Sequence, residues 1–270
     1  MLITNSHSFF HATKTSTFGY STWKSDFWVE SALHHHVLRT PPPPPTPQLP
    51  PLSIHRTLTD FLTIAIHTIL YTRSLYPATT FLTTRAYNLP VHQNRHPSVC
   101  AWINSTTSSL THLLQSNSVK RVVVVIYSPN LEVLERYVFD ISRFPIVDEK
   151  EKMTEFEGET RGMDSMVDVE EQLRATIRKL DYTGSKLGPL PENSTYTVAV
   201  ELRDEALPPI GHPQPWVPSE PSLQTGEKGT NKNIGSDLGG VKSTPVRLIE
   251  AGDFIMETWV EEGKAKFEGD

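Results

Sequence analysis

The sequence holds one cysteine, Cys100, so no disulfide framework can staple the chain and a reducing compartment is the expected setting. Long apolar runs are also missing. The most apolar helical window, Phe61–Leu70, is short and carries His67 and two threonines, so no membrane span is predicted. The beginning lacks a basic stretch followed by an apolar one, and a secretory leader is not expected. Positive charge is not in excess: the formal net charge is −6 and the pI about 6.0. Affinity for a phosphate backbone comes from clustered Lys and Arg, so direct nucleic-acid binding over a broad face is not predicted. There is no Gly-x-Gly-x-x-Gly, no P-loop and no Cys-x-x-Cys. His34, His35 and His36 are adjacent, which is not the spacing of a structural metal site. Cys100 has no activating partner near it in sequence. No enzyme, cofactor or metal is therefore predicted, and the chemistry has to be sought in binding.

What is present is organised around Val119–Ile141. Val122–Ile126 are five consecutive apolar residues, four of them valine, which suits a strand covered on both faces. A turn at Ser128-Pro129-Asn130 leads to a second strand in which Tyr137, Phe139 and Ile141 share a face. Because Ser-Pro-Asn is not the tight Asn-Gly signal, a loop of about three to five residues is expected.

Around this hairpin the chain reads in order. Residues 1–53 are rich in Ser, Thr and His and end in the Pro41–Pro45 run, predicting a disordered, Pro-rich extension. Ile54–Tyr76 carries Leu58, Phe61, Leu62, Ala65, Ile69 and Leu70 at helical spacing, and Pro77 stops it. Tyr87–Val91 reads as a short edge strand limited by Pro90. Pro97 opens a second helix running to about Gln115, with Trp102 at its margin. After a charged loop, Val147–Gly162, a third helix starts near Ser165. Its stripe is Met166, Val169, Leu173, Ile177 and Leu180, and Gly184 is expected to close it. Thr195–Arg203 alternates as a strand. A long Pro- and Gly-rich stretch, Asp204–Thr244, contains Trp216, and loops of that length are functional or disordered. Val246–Ile249 and Phe254–Val260 are strand-like. Strands and helices mix without a βαβ repeat, which predicts the α+β class with three helices on one face of a mainly antiparallel sheet.

Several words in this order resemble one family. They are FLTIAIHTILYTRSLYP at Phe61–Pro77, YNLPV at Tyr87–Val91, VKRVVVVI at Val119–Ile126 and EVLERYVFDI at Glu132–Ile141. EQLRATI at Glu171–Ile177, RLI at Arg247–Ile249 and TWVEE at Thr258–Glu262 follow. The chain resembles the HORMA-domain proteins, on the branch of the non-catalytic accessory subunit of translesion DNA polymerase zeta.

That resemblance implies a HORMA core over residues 54–203. It also implies a C-terminal safety belt over 204–266 that wraps a partner peptide, with a disordered insertion at about 220–243. The implied partners are a peptide of the polymerase zeta catalytic subunit, a Y-family scaffold polymerase and a second HORMA domain, and the implied location is the nucleus. Residue by residue, Trp102 and Trp216 fall where the family touches and covers the captured peptide. Leu248, Glu257 and Trp259 fall on the hairpin that meets the scaffold polymerase, where the usual residues are Leu, Gln and Tyr. Arg174 matches the arginine through which HORMA domains pair. The alternative within the family is a cell-cycle regulator of spindle-checkpoint or meiotic-chromosome signalling.

Overall fold

The computed structural model describes residues 2–4, 50–144, 161–203, 206, 216–218, 240–251 and 254–267. The elements in chain order are β1 (Leu2–Thr4), α1 (Pro50–Thr72), β2 (Phe81–Ala86), β3 (Leu89–Asn94), α2 (Pro97–Gln115), β4 (Val119–Tyr127) and β5 (Val133–Asp140). Then come α3 (Arg161–Lys186), β6 (Thr195–Leu202), β7 (Trp216–Pro218), β8 (Gly240–Ala251) and β9 (Phe254–Gly263). Seven strands form one antiparallel sheet in the order β7-β1-β6-β4-β5-β9-β8, and β2 pairs with β3 in a separate ribbon.

β4 sits at the middle because it is apolar on both faces. Val122, Val124 and Ile126 join the main core with Tyr137, Phe139, Val198 and Val200, while Val123 and Val125 belong to a second cluster with Val138 and Ala199. The helices cover the first face. Leu58, Phe61, Leu62, Ala65, Ile69 and Leu70 of α1 are all buried, and the Phe61 ring meets Phe139 edge-on at 5.9 Å. Val169, Leu173, Ile177 and Leu180 of α3 are buried alongside, as the spacing predicts.

Several boundaries differ from the sequence reading, each for a local reason. α1 starts at Pro50, since prolines are accommodated in a helix's first turn, where their missing N–H has no helical partner. It ends at Thr72, ahead of the expected Tyr76. Ser74 adopts φ 52°, and the N–H groups of Ser74 and Leu75 donate to the carbonyls of Tyr71 and Leu70, a left-handed exit with serine in glycine's place. Asn117 closes α2 in the same way. Tyr87 and Asn88, expected in a strand, form the two-residue turn of the β2–β3 hairpin, with φ of 47° and 57°. β2 carried no alternation to reveal it. α3 begins at Arg161, inside the expected charged loop, and runs through Gly184 to Lys186. Gly184 is required for a different reason than closure: a Cβ there would lie 2.6 Å from Thr72 Oγ1, so glycine lets the ends of α1 and α3 touch. Leu2–Thr4, assigned from sequence to the disordered extension, form a strand. β8 and β9 are longer than expected and absorb residues 240–243 of the predicted insertion; the remainder of that insertion lies outside the described residues.

His67 of α1 is buried, and its Nδ1 accepts the backbone N–H of Asn94. Burial pushes its pKa down from 6.5 to about 4, so the imidazole is neutral in the fold. Protonation then favours the unfolded chain. His67's contribution is fully present above about pH 6.5 and is lost as pH falls towards 4, by roughly 3 kcal/mol over that window. Urea denaturation at pH 7 and pH 4.5 should show this loss, and His67→Gln should flatten the slope.

Candidate partner-binding site

The sheet's two margins on either side of the β4 centre are closed by different means, and both bear on binding. Beyond β6 there is a narrow slot. β4 pairs with one edge of β6, from Tyr127↔Thr195 to Val119↔Leu202, leaving the other edge open to a further strand. β1 lies there, antiparallel to β6 through Leu2↔Val200 and Ile3↔Ala199. β7 closes the far side, antiparallel to β1 through Leu2↔Pro218, Ile3↔Val217 and Thr4↔Trp216. The slot between β6 and β7 is thus one strand wide.

Aromatic residues flank it. Trp216 opens β7 and is among the largest fully buried side chains, packed into the main core. Trp102 of α2 is half-buried and meets Tyr196 of β6 edge-on at 5.1 Å, and Tyr196 in turn meets Tyr76 at 6.2 Å. A strand continuing the β1 register past Thr4 would run along β6 towards Tyr196 and the Trp102 ring. Both tryptophans singled out in the sequence therefore stand beside the slot, one from the helix layer and one from the enclosing strand.

The opposite margin is closed by the β8–β9 hairpin, which pairs with β5 through Glu135↔Glu262 to Asp140↔Glu257. A buried charge cluster fastens it. Glu135 accepts two hydrogen bonds from Arg73, at 2.8 Å each, and a third from Lys266 Nζ at 2.5 Å. Lys266 also reaches Glu262 at 2.6 Å, and Lys242 reaches the same carboxylate at 3.1 Å. Arg73 further donates to the carbonyls of Gly184 and Gly188, so the latch joins α1, α3, β5 and the C-terminal turn. Burial raises the Glu262 carboxyl, but Lys266 and Lys242 outweigh it and hold its pKa below the ordinary range. That ion pairing is complete near neutrality and weakens as pH falls through the lowered pKa.

Leu248, Glu257 and Trp259 come together on the sheet face away from the helices. Leu248 pairs directly with Glu257, and both are exposed. Trp259 packs on the second apolar cluster, its Nε1 donating to Glu261 at 2.7 Å while the Arg121 guanidinium lies 5.5 Å from its ring. Arg121 pairs with Asp140 and Glu201, and Arg136 with Glu201 and Glu261. The result is a polar sheet face on which Trp259 and Tyr127 pack over the second apolar cluster and Leu248 is exposed. Arg174 lies elsewhere, on an exposed strip of α3 with Glu171, Arg178, Lys179 and Tyr182. Its guanidinium sits 3.6 Å from Glu171.

Cys100 is buried with its thiol donating to the Asn94 carbonyl, and burial pushes its pKa up to about 11, far from an activated nucleophile. Sequence reasoning missed the β1 strand and the latch. Three residues are too few for a periodicity, and Arg73, Glu135 and Lys266 meet only after folding.

The fold agrees with what comparison finds. A family model described as the HORMA domain matches residues 55–244. The chain belongs to the HORMA-domain family. A relative, the DNA polymerase zeta processivity subunit of Schizosaccharomyces pombe, is 31% identical over 207 residues, covering 75% of this chain and 89% of that protein. The human mitotic spindle assembly checkpoint protein MAD2B is 34% identical over 150 residues, covering 55% of this chain and 65% of its own, just under two thirds. Among solved structures, a chain of a mitotic checkpoint complex superimposes with a TM-score of 0.59 at 21% identity, covering 78% of this chain and 98% of that one. Caenorhabditis elegans HTP-2 bound to the HIM-3 closure motif gives 0.51 at 12%, covering 78% and 91%. At these identities the likeness speaks for the HORMA fold alone: three helices on a mainly antiparallel sheet.

The latch makes a quantitative prediction. Lys266→Ala leaves Glu135 and Glu262 short of a buried partner and should lower stability to urea by about 2–4 kcal/mol. Lys242→Ala removes an amine that is 62% exposed and should cost less than about 1 kcal/mol.

Proposed function

We propose that this chain is a non-enzymatic adaptor of translesion DNA synthesis. It clasps an extended, proline-containing peptide of the polymerase zeta catalytic subunit in the slot between β6 and β7 and presents the outer face of the β8–β9 hairpin to a Y-family scaffold polymerase. Its expected site of action is the nucleus. The observation that carries the reading is the pairing of a strand-wide slot with a relative, named as a polymerase zeta processivity subunit, that is matched over nine-tenths of its length.

The physics suits the task. A peptide entering the slot gains backbone hydrogen bonds from β6 on one side and β7 on the other, so affinity comes from main chain and selectivity from the flanking pockets. Enclosure by the belt acts on dissociation, since the peptide leaves only when β7 lifts, and a small interface then persists. Trp102 and Trp216 are assigned to the peptide, Leu248, Glu257 and Trp259 to the scaffold polymerase, and Arg174 to pairing with a second HORMA domain. Glu257 adds a carboxylate where the family has an amide, which favours a basic or hydrogen-bond-donating group on the partner.

The MAD2B relatives' names favour a second reading, a cell-cycle regulator with a different closure peptide. The partner peptide that co-purifies with the chain separates the two.

Calorimetric titration of the full chain with a proline-containing peptide from the same organism's polymerase zeta catalytic subunit tests the first reading. Submicromolar, slowly dissociating binding is expected, with Trp102→Ala weakening it by about 2 kcal/mol. Trp216→Ala should weaken it at least as much, in a protein whose fold is checked because this residue is also core. Leu248→Ala and Trp259→Ala should leave peptide affinity unchanged and reduce capture of the scaffold polymerase. A folded chain that binds no such peptide would overturn the assignment.

A further inference from the structure

The slot assigned to a partner is filled by the chain's own beginning. Leu2–Thr4 pair with β6 on one side and β7 on the other, antiparallel to both, which is the placement an incoming peptide strand would take. We propose that Leu2–Thr4 are a tethered placeholder for the partner peptide: they close the belt over the β6 edge until a longer strand displaces them. This rests on the reading of the slot as a peptide clasp.

Three features carry the argument. First, the strand is short among the described residues: two in register with β6 and three with β7. So few backbone hydrogen bonds, each with a net value near 1 kcal/mol, give weak binding by themselves, as a displaceable occupant requires. Second, the occupant is covalently attached. Residues 5–49 join Thr4 to the start of α1 at Pro50, a length of chain that can span on the order of 150 Å, so nothing in chain length keeps β1 from the slot. Attachment gives an effective concentration on the order of millimolar, enough for a strand of similarly weak affinity to occupy its own slot. Third, Leu2-Ile3-Thr4 contains no proline and carries two β-branched residues, so every N–H is available to the ladder and the conformation is favourable.

The consequences follow from competition. A partner peptide meets a slot that is vacant only part of the time, and its apparent dissociation constant rises by the reciprocal of that fraction. Weak, unrelated strands are thereby rejected, and the β6 edge is kept from pairing with other chains when no partner is bound. A partner making contacts along the whole slot, past Tyr196 to Trp102, outcompetes a three-residue occupant.

The test compares the full chain with its Ile3→Pro variant, in which proline removes the middle N–H of a three-residue strand, a loss that a longer strand absorbs more easily. Two measurements are made on each: amide exchange at β7 and the outer edge of β6 without any added peptide, and affinity for the proline-containing polymerase peptide. Faster exchange at Val198–Val200 and Trp216–Val217 in the variant, with about 3- to 30-fold tighter peptide binding, is the expected result. Identical exchange in the two chains overturns the placeholder, whatever the peptide does. Altered exchange with no peptide bound by either chain supports the self-occupied slot and instead defeats the partner assignment. Light scattering decides the source of the strand: a monomer is expected, and a dimer that dissociates on Ile3→Pro would overturn the tethered arrangement in favour of exchange between copies.

Discussion

An antiparallel sheet cannot leave its edge amides and carbonyls without partners at no cost, and this protein's architecture is an answer to that constraint at two edges. β4 is the apolar centre, β5 and β6 flank it, and each flank exposes one further edge. The edge of β5 is taken by the long β8–β9 hairpin, fixed by ten residues or more of pairing between its own strands and by the buried charges of the latch. The edge of β6 is taken by the three residues of β1 and enclosed by the three of β7. One edge is closed firmly and the other lightly. Binding is assigned to the lightly closed edge because the exchange of one short strand for another costs little there.

The charge arrangements explain why the firm edge stays firm. Arg73, Glu135, Lys266 and Glu262 are largely removed from water and satisfy one another at 2.5–2.8 Å. Such clusters add little over a well-packed apolar equivalent, but removal of one member strands the others. Slippage of β9 along β5 would separate Glu262 and Lys266 from Glu135, so the latch fixes register as well as position. On the outer face Arg121, Arg136, Glu201 and Glu261 play a comparable part around Trp259, holding its indole in one orientation. The surface assigned to the scaffold polymerase is therefore preorganised, and little side-chain freedom is lost on contact.

Much of this was legible in the sequence, and the reason is periodicity. The valine run of β4, the stripes of α1 and α3 and the alternation of β6 each concentrate apolar residues at the spacing of their element. Those residues are buried as read, except that Tyr196 and Leu202 are half-buried and the Met166 side chain lies outside what the structure describes. The resemblance carried the family and singled out Trp102 and Trp216; the first packs on Tyr196 of β6 and the second opens β7. What was not legible lacks a local pattern. β2 mixes three apolar and three polar residues without alternation; the Tyr87-Asn88 turn depends on positive φ at a tyrosine; Leu2-Ile3-Thr4 is ordinary until the slot beside β6 exists. Arg73 and Lys266 stand 62 and 131 residues from Glu135, and long-range ion pairs leave no spacing to read.

The central claim is that an extended partner strand lies between β6 and β7. Amide exchange measured across the full chain, with and without saturating proline-containing polymerase peptide, addresses it directly. The account predicts slower exchange confined to Tyr196–Val200 and Trp216–Val217, with β8 and β9 unchanged and Ile3 and Thr4 released. Protection appearing on the β8–β9 hairpin while β6 and β7 stay unchanged would contradict it.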